Sequence, residues 1–369
     1  MGAFIQHIST ALPESSYDQD MLRDQMKRYI GGDRRTDALL HRIYNRSGIT
    51  QRYSVVDDFS SNQPSALFFN GQSSPQMPTT GERNAIYQKK AKLLFERAAQ
   101  NLIDETDIDP AQVTHLITVS CTGFFAPGPG FHLLKTLSLS PKVHRFHVGF
   151  MGCFAAFPAL HMANAFCQAD PDAVVLIVGA ELCTLHFQDS VDTDNLIAGS
   201  VFADGASAVL VSAQPLVEQR QVLEIQQLHT QITPQGEQDM AWTIGDTGFR
   251  MRLSTYVPDI IKSNLQQILS DVLDKKQDID QIDHWAVHPG GRAILDKIEE
   301  GLKLSPTDLQ HSRDILAQFG NMSSVTILFV LRQILNIPLQ DPKLPESVLA
   351  MAFGPGLTIE SGQLLKRLI

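Results

Sequence analysis

The sequence predicts an α/β protein built from two related halves, and two observations carry that prediction. The first is a pattern that occurs twice. Asp109-Pro110-Ala111-Gln112-Val113-Thr114-His115 leads into the apolar run Leu116 to Ser120, and Asp278-Ile279-Asp280-Gln281-Ile282-Asp283-His284 leads into Trp285-Ala286-Val287-His288. Each copy passes through a glycine-rich turn (Gly128-Pro129-Gly130; Pro289-Gly290-Gly291) and a helical stretch. Each then reaches a second glycine that opens an apolar helix, Gly152-Cys153 onward in one and Gly320-Asn321-Met322 onward in the other. His115 to Cys153 spans 38 positions and His284 to Asn321 spans 37, so order and spacing both match, as internal duplication requires. The second observation is that each copy ends in an apolar run, Ala173 to Val178 and Ser347 to Phe353. Apolar runs between helices are strands covered on both faces. The alternative is a chance likeness between two ordinary α/β units. Duplication divides the chain into residues 1–213 and 214–369. It also brings the helix starts at Cys153 and Asn321, and the strand end at His288, towards one pseudo-twofold axis.

The remaining elements follow in order. Residues 3–9 read as a strand, and Tyr17 to Ile30 and Thr36 to Arg46 as helices, the second ending at Ser47-Gly48. Residues 54–82, rich in Ser, Asn, Pro and Gly, read as a surface excursion. Glu82 to Ile103 places Ile86, Ala91, Leu94, Ala98 and Leu102 near one helix face. Val143 to Phe150 reads as a strand, and Cys153 sits on the first turn of the helix that runs to Ala169.

Composition narrows the function classes. The 369 residues are 43% hydrophobic and 19% charged, with a net charge of −10 and no basic run, which is a poor match to nucleic-acid binding. Cys121, Cys153, Cys167 and Cys183 show no C-x-x-C pair and no zinc-ligand spacing, so they read as reduced thiols and no metal site is expected. No apolar run approaches a membrane span and no signal segment is visible, so a cytoplasmic protein is expected.

Three residues stand out chemically. A thiol at a helix start feels backbone N–H groups and the positive end of the helix dipole, which favour the thiolate. A core cysteine looks the same in sequence. A histidine in Val287-His288-Pro289-Gly290-Gly291 can lower a thiol's pKa or take its proton, or can simply bond a backbone carbonyl at a strand end. Asn321 can donate to an oxyanion, or merely cap the helix that follows.

Five segments together resemble the type III polyketide synthases, the chalcone synthase-like family with the thiolase fold. They are Gly149-Phe150-Met151-Gly152-Cys153, Val201-Phe202-Ala203-Asp204-Gly205-Ala206, Trp285-Ala286-Val287-His288-Pro289-Gly290-Gly291, Phe319-Gly320-Asn321-Met322-Ser323-Ser324 and Phe353-Gly354-Pro355-Gly356. The resemblance covers almost the whole chain. It implies a layered αβαβα architecture and a catalytic triad of Cys153, His288 and Asn321, with Phe202 as the aromatic gate between reaction chamber and pantetheine tunnel. Cys153 would take an acyl group from a coenzyme A thioester. Malonyl-CoA would then decarboxylate to an enolate that extends the chain, without a carrier protein and with no metal or redox cofactor. A homodimer is also implied.

Pocket residues come over by position: Cys183, His186, Trp242, Met251, Ser323 and the Gly354-Pro355-Gly356 loop. Trp242 replaces a glycine of the plant enzymes and is expected to narrow the chamber. Gly123, in the segment Cys121-Thr122-Gly123-Phe124-Phe125, looks like the bacterial alkylpyrone and alkylresorcinol synthases and is expected to open a different path. Gly128 stands where the plant family carries a methionine that crosses the dimer interface. The coenzyme A entrance would use Arg42, Arg46, Gly290, Gly291 and Ala293, while a third basic position of the family holds Leu39. These features point to a fatty-acyl starter and a pyrone or resorcinol product. The alternatives are a β-ketoacyl-acyl carrier protein synthase III, a cysteine hydrolase using Cys153 and His288, and an inactive acyl-binding scaffold.

Overall fold

A computed structural model of the chain describes residues 2–58, 67–68, 77–216, 219–233, 236–273 and 279–369. Asp278 and most of the predicted surface excursion, residues 59–66 and 69–76, lie outside these. The first half runs β1 (Ala3–Ala11), β2 (Ser15–Asp18), α1 (Gln19–Tyr29), α2 (Arg34–Asn45), β3 (Gln51–Ser54), α3 (Thr80–Thr106), β4 (His115–Ser120) and α4 (Pro129–Thr136). It continues with β5 (His144–Gly149), α5 (Ala156–Ala169), β6 (Val174–Leu182), α6 (Thr193–Val201) and β7 (Asp204–Ser212). The second half runs β8 (Gln221–Ile232), β9 (Met240–Gly245), β10 (Gly248–Leu253), α7 (Val257–Val272), β11 (His284–Val287) and α8 (Arg292–Leu302). It ends with α9 (Gln310–Phe319), α10 (Thr326–Asn336), β12 (Glu346–Gly354) and β13 (Thr358–Leu368).

The duplication is visible in the sheet. The first half orders its strands β1-β7-β6-β4-β5 and the second β8-β13-β12-β11. In each, one parallel pair (β4 with β6; β11 with β12) is followed by two antiparallel pairs. Only β5 has no counterpart among the described residues. The halves join where β1 pairs β8 over Ala3 to Ile5.

Strand alternation sorts the side chains into three cores. Val175 and Ile177 of β6 face a central cluster that also holds Val348, Ala350 and Ala352 of β12, with α5 and α10 between them. The other face of β6 (Leu176, Val178) packs under α3 and α4. The other face of β12 (Leu349, Met351) packs under α7 and α8. The result is the expected five layers, helices–sheet–helices–sheet–helices.

Local chemistry sets the element ends. Asp18 accepts from the Asp20 and Met21 N–H groups, so α1 begins after it and Tyr17 belongs to β2 rather than to the predicted helix. Thr79 and Glu82 form a capping box that starts α3 earlier than its apolar periodicity suggests. The patterns above leave β8, β9 and β10 unmarked. Among the described residues no helix is long and apolar enough to cross a membrane.

Candidate active site

The two pseudo-equivalent turns are built alike. Gly152 (φ +90°) precedes Cys153, and Gly320 (φ +71°) precedes Asn321; both are left-handed conformations that favour glycine. A Cβ on Gly152 would also sit 2.2 Å from Cδ of Pro355. The predicted placement of Cys153 on the helix itself is corrected: α5 begins at Ala156, and Cys153 lies in the preceding turn, where the Ala155 N–H donates to Gly152 O (3.0 Å). The Gly152 N–H donates to the Cys121 Sγ at 2.9 Å.

Asn321 is held at both ends of its amide. Its Oδ1 accepts from the Ser323 N–H (2.8 Å), and its Nδ2 donates to Gly290 O (3.0 Å). The turn-capping role and an open N–H therefore coexist, because Nδ2 carries a second hydrogen. His288 follows β11, its N–H bonded to Met351 O (2.8 Å). Its side chain is 1% exposed, yet neither ring nitrogen has a partner among the described residues. The strand-end reading, a ring bonded to a backbone carbonyl, therefore fails. The ring lines a void instead.

Cys153, His288, Asn321, Ser323 and Phe202 line one void of about 550 Å³, open solvent included. Burial pushes the Cys153 thiol up to about 12, against the pull of Ser323 and Asn321 and with a further push from Glu181. Burial likewise drives His288 down to about 3. Desolvation thus outweighs the helix-start effect expected for the thiol, and a neutral thiol shares the chamber with a neutral imidazole.

One wall of this chamber is shared. Phe202, Trp242, Met251 and Cys183 also line a second void of about 780 Å³, part of it open to solvent. Its other walls include Tyr17, Leu22, Met26 and Phe68. Trp242 is fixed by donating Nε1–H to Cys121 O (2.9 Å), with its ring 6.4 Å from that of Phe202. His186 lines the second void only. Its Nδ1 accepts from the Phe249 N–H (3.0 Å), so Nε2 donates to Thr122 O (2.8 Å). Burial lowers its pKa to about 4, and both nitrogens are spent, leaving an apolar-facing wall.

Several expected positions behave otherwise. Gly123 opens no path: a Cβ there would lie 2.2 Å from the Tyr87 ring, which already fills the space. Gly354 backs the chamber from behind, where a Cβ would meet Phe154 at 2.4 Å, and only Pro355 of the Gly354-Pro355-Gly356 loop lines the void. Arg42 and Arg46 stand exposed at the end of α2, and Leu39 is half-buried against the outer core of the first half. Gly290 reaches the chamber, while Gly291 and Ala293 open α8 at the surface. Arg292 between them went unnoticed in the sequence. Its side chain packs against Gly48, two residues beyond Arg46, so it stands where the ends of α2 and α8 meet.

Glu181 likewise has no signal in the sequence. It is fully buried at the end of β6 and accepts from the Cys121 N–H (2.9 Å), the Thr122 hydroxyl (3.0 Å) and the Ser324 hydroxyl. Burial raises its pKa to about 7. It lies in an apolar strand, and nothing local in that run announces its partners.

Two family models match: the N-terminal domain of chalcone and stilbene synthases over residues 2–215 and the C-terminal domain over residues 224–368. The chain belongs to the chalcone and stilbene synthase family. Probable polyketide synthase 1 of Dictyostelium discoideum is 28% identical over 373 residues, a match that takes in 100% of this chain and 12% of that protein. This chain therefore spans about an eighth of that curated relative. The crystal structure of the C-terminal type III polyketide synthase domain of Steely1, a type I/III hybrid from Dictyostelium, superposes with a TM-score of 0.91 at 26% identity and covers 100% of both chains. PKS-I from the brown alga Ectocarpus siliculosus superposes with a TM-score of 0.90 at 27% identity, covering 100% of this chain and 98% of the other.

Proposed function

We propose that this family member is a type III polyketide synthase that loads long fatty-acyl starters and forms pyrone or resorcinol products. The observation that carries the reading is the buried, unpartnered His288 ring facing the same chamber as Cys153 and Asn321. As an acyl-CoA carbonyl meets Sγ, the thiol proton passes to His288, and the coenzyme A thiolate leaves with that proton. Malonyl-CoA then loses carbon dioxide. The negative charge developing on its thioester oxygen accepts hydrogen bonds from the His288 ring and from the free Nδ2–H of Asn321. The resulting enolate attacks the acyl carbonyl, and Cys153 leaves as the thiolate, ready for reloading.

The second void supports the choice of starter. An apolar chamber behind Phe202 and Trp242 suits an alkyl chain better than a compact phenolic ring. At the entrance, Arg42, Arg46 and Arg292 offer three cations for the coenzyme A phosphates, with Arg292 standing in for the missing charge at Leu39. Gly290, Gly291 and Ala293 supply the backbone around the pantetheine arm. Coenzyme A thioesters are the only small molecules required, and no carrier protein takes part. The dimer forms along β5, whose His144, Arg145, Phe146 and His147 are exposed on a sheet edge with no further strand among the described residues.

The test is product mass. Purified protein with malonyl-CoA and acyl-CoAs of increasing length, and no carrier protein, is expected to give products extended by two or more acetate units, best with long chains. Trp242→Gly is expected to lengthen the products. A single condensation, or dependence on carrier protein, would favour the synthase III reading instead.

A further inference from the structure

Arg52 occupies the short strand β3, far in sequence from every residue of the chamber, and it is 7% exposed. Among the described residues its guanidinium makes no ion pair with a carboxylate. It faces acceptors at the end of α6 instead. Nη1 donates to Gly199 O (2.9 Å) and to Phe202 O (2.6 Å), while Nε donates to Gln19 Oε1 (2.9 Å). The last carbonyls of a helix lack intrahelical partners, and a planar fork of donors satisfies several at once. The Tyr44 hydroxyl also donates to Gly199 O (3.2 Å), and its ring centroid lies 5.9 Å from the guanidinium.

The stem of Arg52 touches the other side of the site. A Cβ on Gly320 would meet Arg52 Cγ at 2.9 Å and Val201 O at 3.0 Å. The two segments that Arg52 touches are themselves joined. The Asn321 N–H donates to Val201 O (2.8 Å), and the Ala203 N–H donates to Asn321 O (2.9 Å), a bridge centred on Phe202 and Asn321. One buried side chain thus holds the carbonyl of the Phe202 aromatic and packs on the glycine that precedes Asn321.

We propose that Arg52 is a positioning residue that locks Phe202, in the wall between the two voids, and the Asn321 amide into one unit. Chain-length choice and decarboxylation are then set by the same group. This rests on the polyketide synthase reading. Loosening Arg52 moves the wall and the oxyanion donor together, whereas a purely structural arginine would cost stability alone.

The experiment compares Arg52→Met, Arg52→Lys and Gln19→Leu with the wild type. Three quantities are read: malonyl-CoA decarboxylation without starter, the product-length distribution, and melting temperature. Arg52→Met is expected to lower the decarboxylation kcat about 10- to 100-fold, the cost of a small misplacement of a catalytic group. Its KM for malonyl-CoA is expected to shift less than about threefold, since ground-state binding is untouched. Its residual products should spread over more lengths. Arg52→Lys keeps a single ammonium in place of the planar fork and should fall between. Gln19→Leu removes the Nε acceptor together with the Gln19 Nε2–H bonds to Ser47 Oγ (3.1 Å) and Ser200 O (2.8 Å), and should broaden the products with little loss of rate. A folded Arg52→Met with wild-type kcat and product ratios overturns the proposal, as does a loss that follows the unfolded fraction alone. If Arg52→Met does not fold, unchanged product ratios in both Arg52→Lys and Gln19→Leu overturn it. A wild type that extends no acyl-CoA counts against the polyketide synthase reading, not against Arg52.

Discussion

The two halves share one device and use it differently. In each, a glycine with positive φ turns the chain into the central helix layer, and the residue after it faces the chamber: Cys153 from the first half, Asn321 from the second. The first turn is held from outside, by the Cys121 sulfur and by Pro355. The second is held by its backbone, bonded to Val201 and Ala203, and also by its own side chain, which bonds Ser323 and Gly290. The turn is alike in the two halves while the side chain it presents differs, a thiol in one and an amide in the other. Glu181 ties the two turns together, because it bonds Cys121 and Thr122 on one side and Ser324 on the other.

That division of labour is breakable, starting with the largest effect. Cys153→Ala is expected to abolish chain extension while malonyl-CoA decarboxylation persists. Asn321→Ala is expected to lower decarboxylation about 10²- to 10³-fold, the usual loss for one oxyanion donor, while acyl transfer to Cys153 remains. Carbon dioxide release and product formation, measured side by side, check both.

The turns themselves come next. Gly152→Ala and Gly320→Ala each carry about 1–2 kcal/mol of left-handed backbone strain. Gly152→Ala should be the more destabilised, since its Cβ would lie 2.2 Å from the rigid Pro355 ring, whereas a Cβ on Gly320 meets the Arg52 stem at 2.9 Å and Val201 O at 3.0 Å. Urea unfolding gives the order, and an inverted order would break the comparison.

Glu181→Gln gives a pH signature. Glu181 has its pKa raised to about 7 in the folded state, from 4.5. The folded protein therefore binds the extra proton across that window, and wild-type stability falls as pH rises through it. Glutamine does not titrate, so the melting temperature of the variant relative to wild type should climb from pH 5 to pH 7.5. A constant difference would show that Glu181 does not titrate in this range. The smallest effect belongs to the entrance. Arg42→Ala with Arg46→Ala should raise the malonyl-CoA KM by several-fold at most, since exposed charge contacts contribute roughly 0–1 kcal/mol each, with no change in melting temperature.

Much of this was legible in the chain itself. The matched spacing from His115 to Cys153 and from His284 to Asn321 anticipated the repeated strand order, because spacing survives duplication better than side chains do. The apolar runs of β6 and β12 announced strands buried on both faces. What stayed hidden depends on partners distant in sequence. Gly123 looked like an opening because Tyr87, which fills it, comes from α3. Cys153 could be read as a thiolate or as a core thiol because the helix-start effect is local, while the burial that raises its pKa is assembled from both halves. Arg52 and Glu181 carried no signal: one is a lone charge in a four-residue strand, the other a lone carboxylate in an apolar run.

The central claim is that Cys153 carries the growing acyl chain. Intact-protein mass after incubation with a long-chain acyl-CoA, without malonyl-CoA, tests it most directly. The account predicts a gain equal to one acyl group on the wild type and none on Cys153→Ala. An unmodified wild type, or an equal gain on Cys153→Ala, would contradict it.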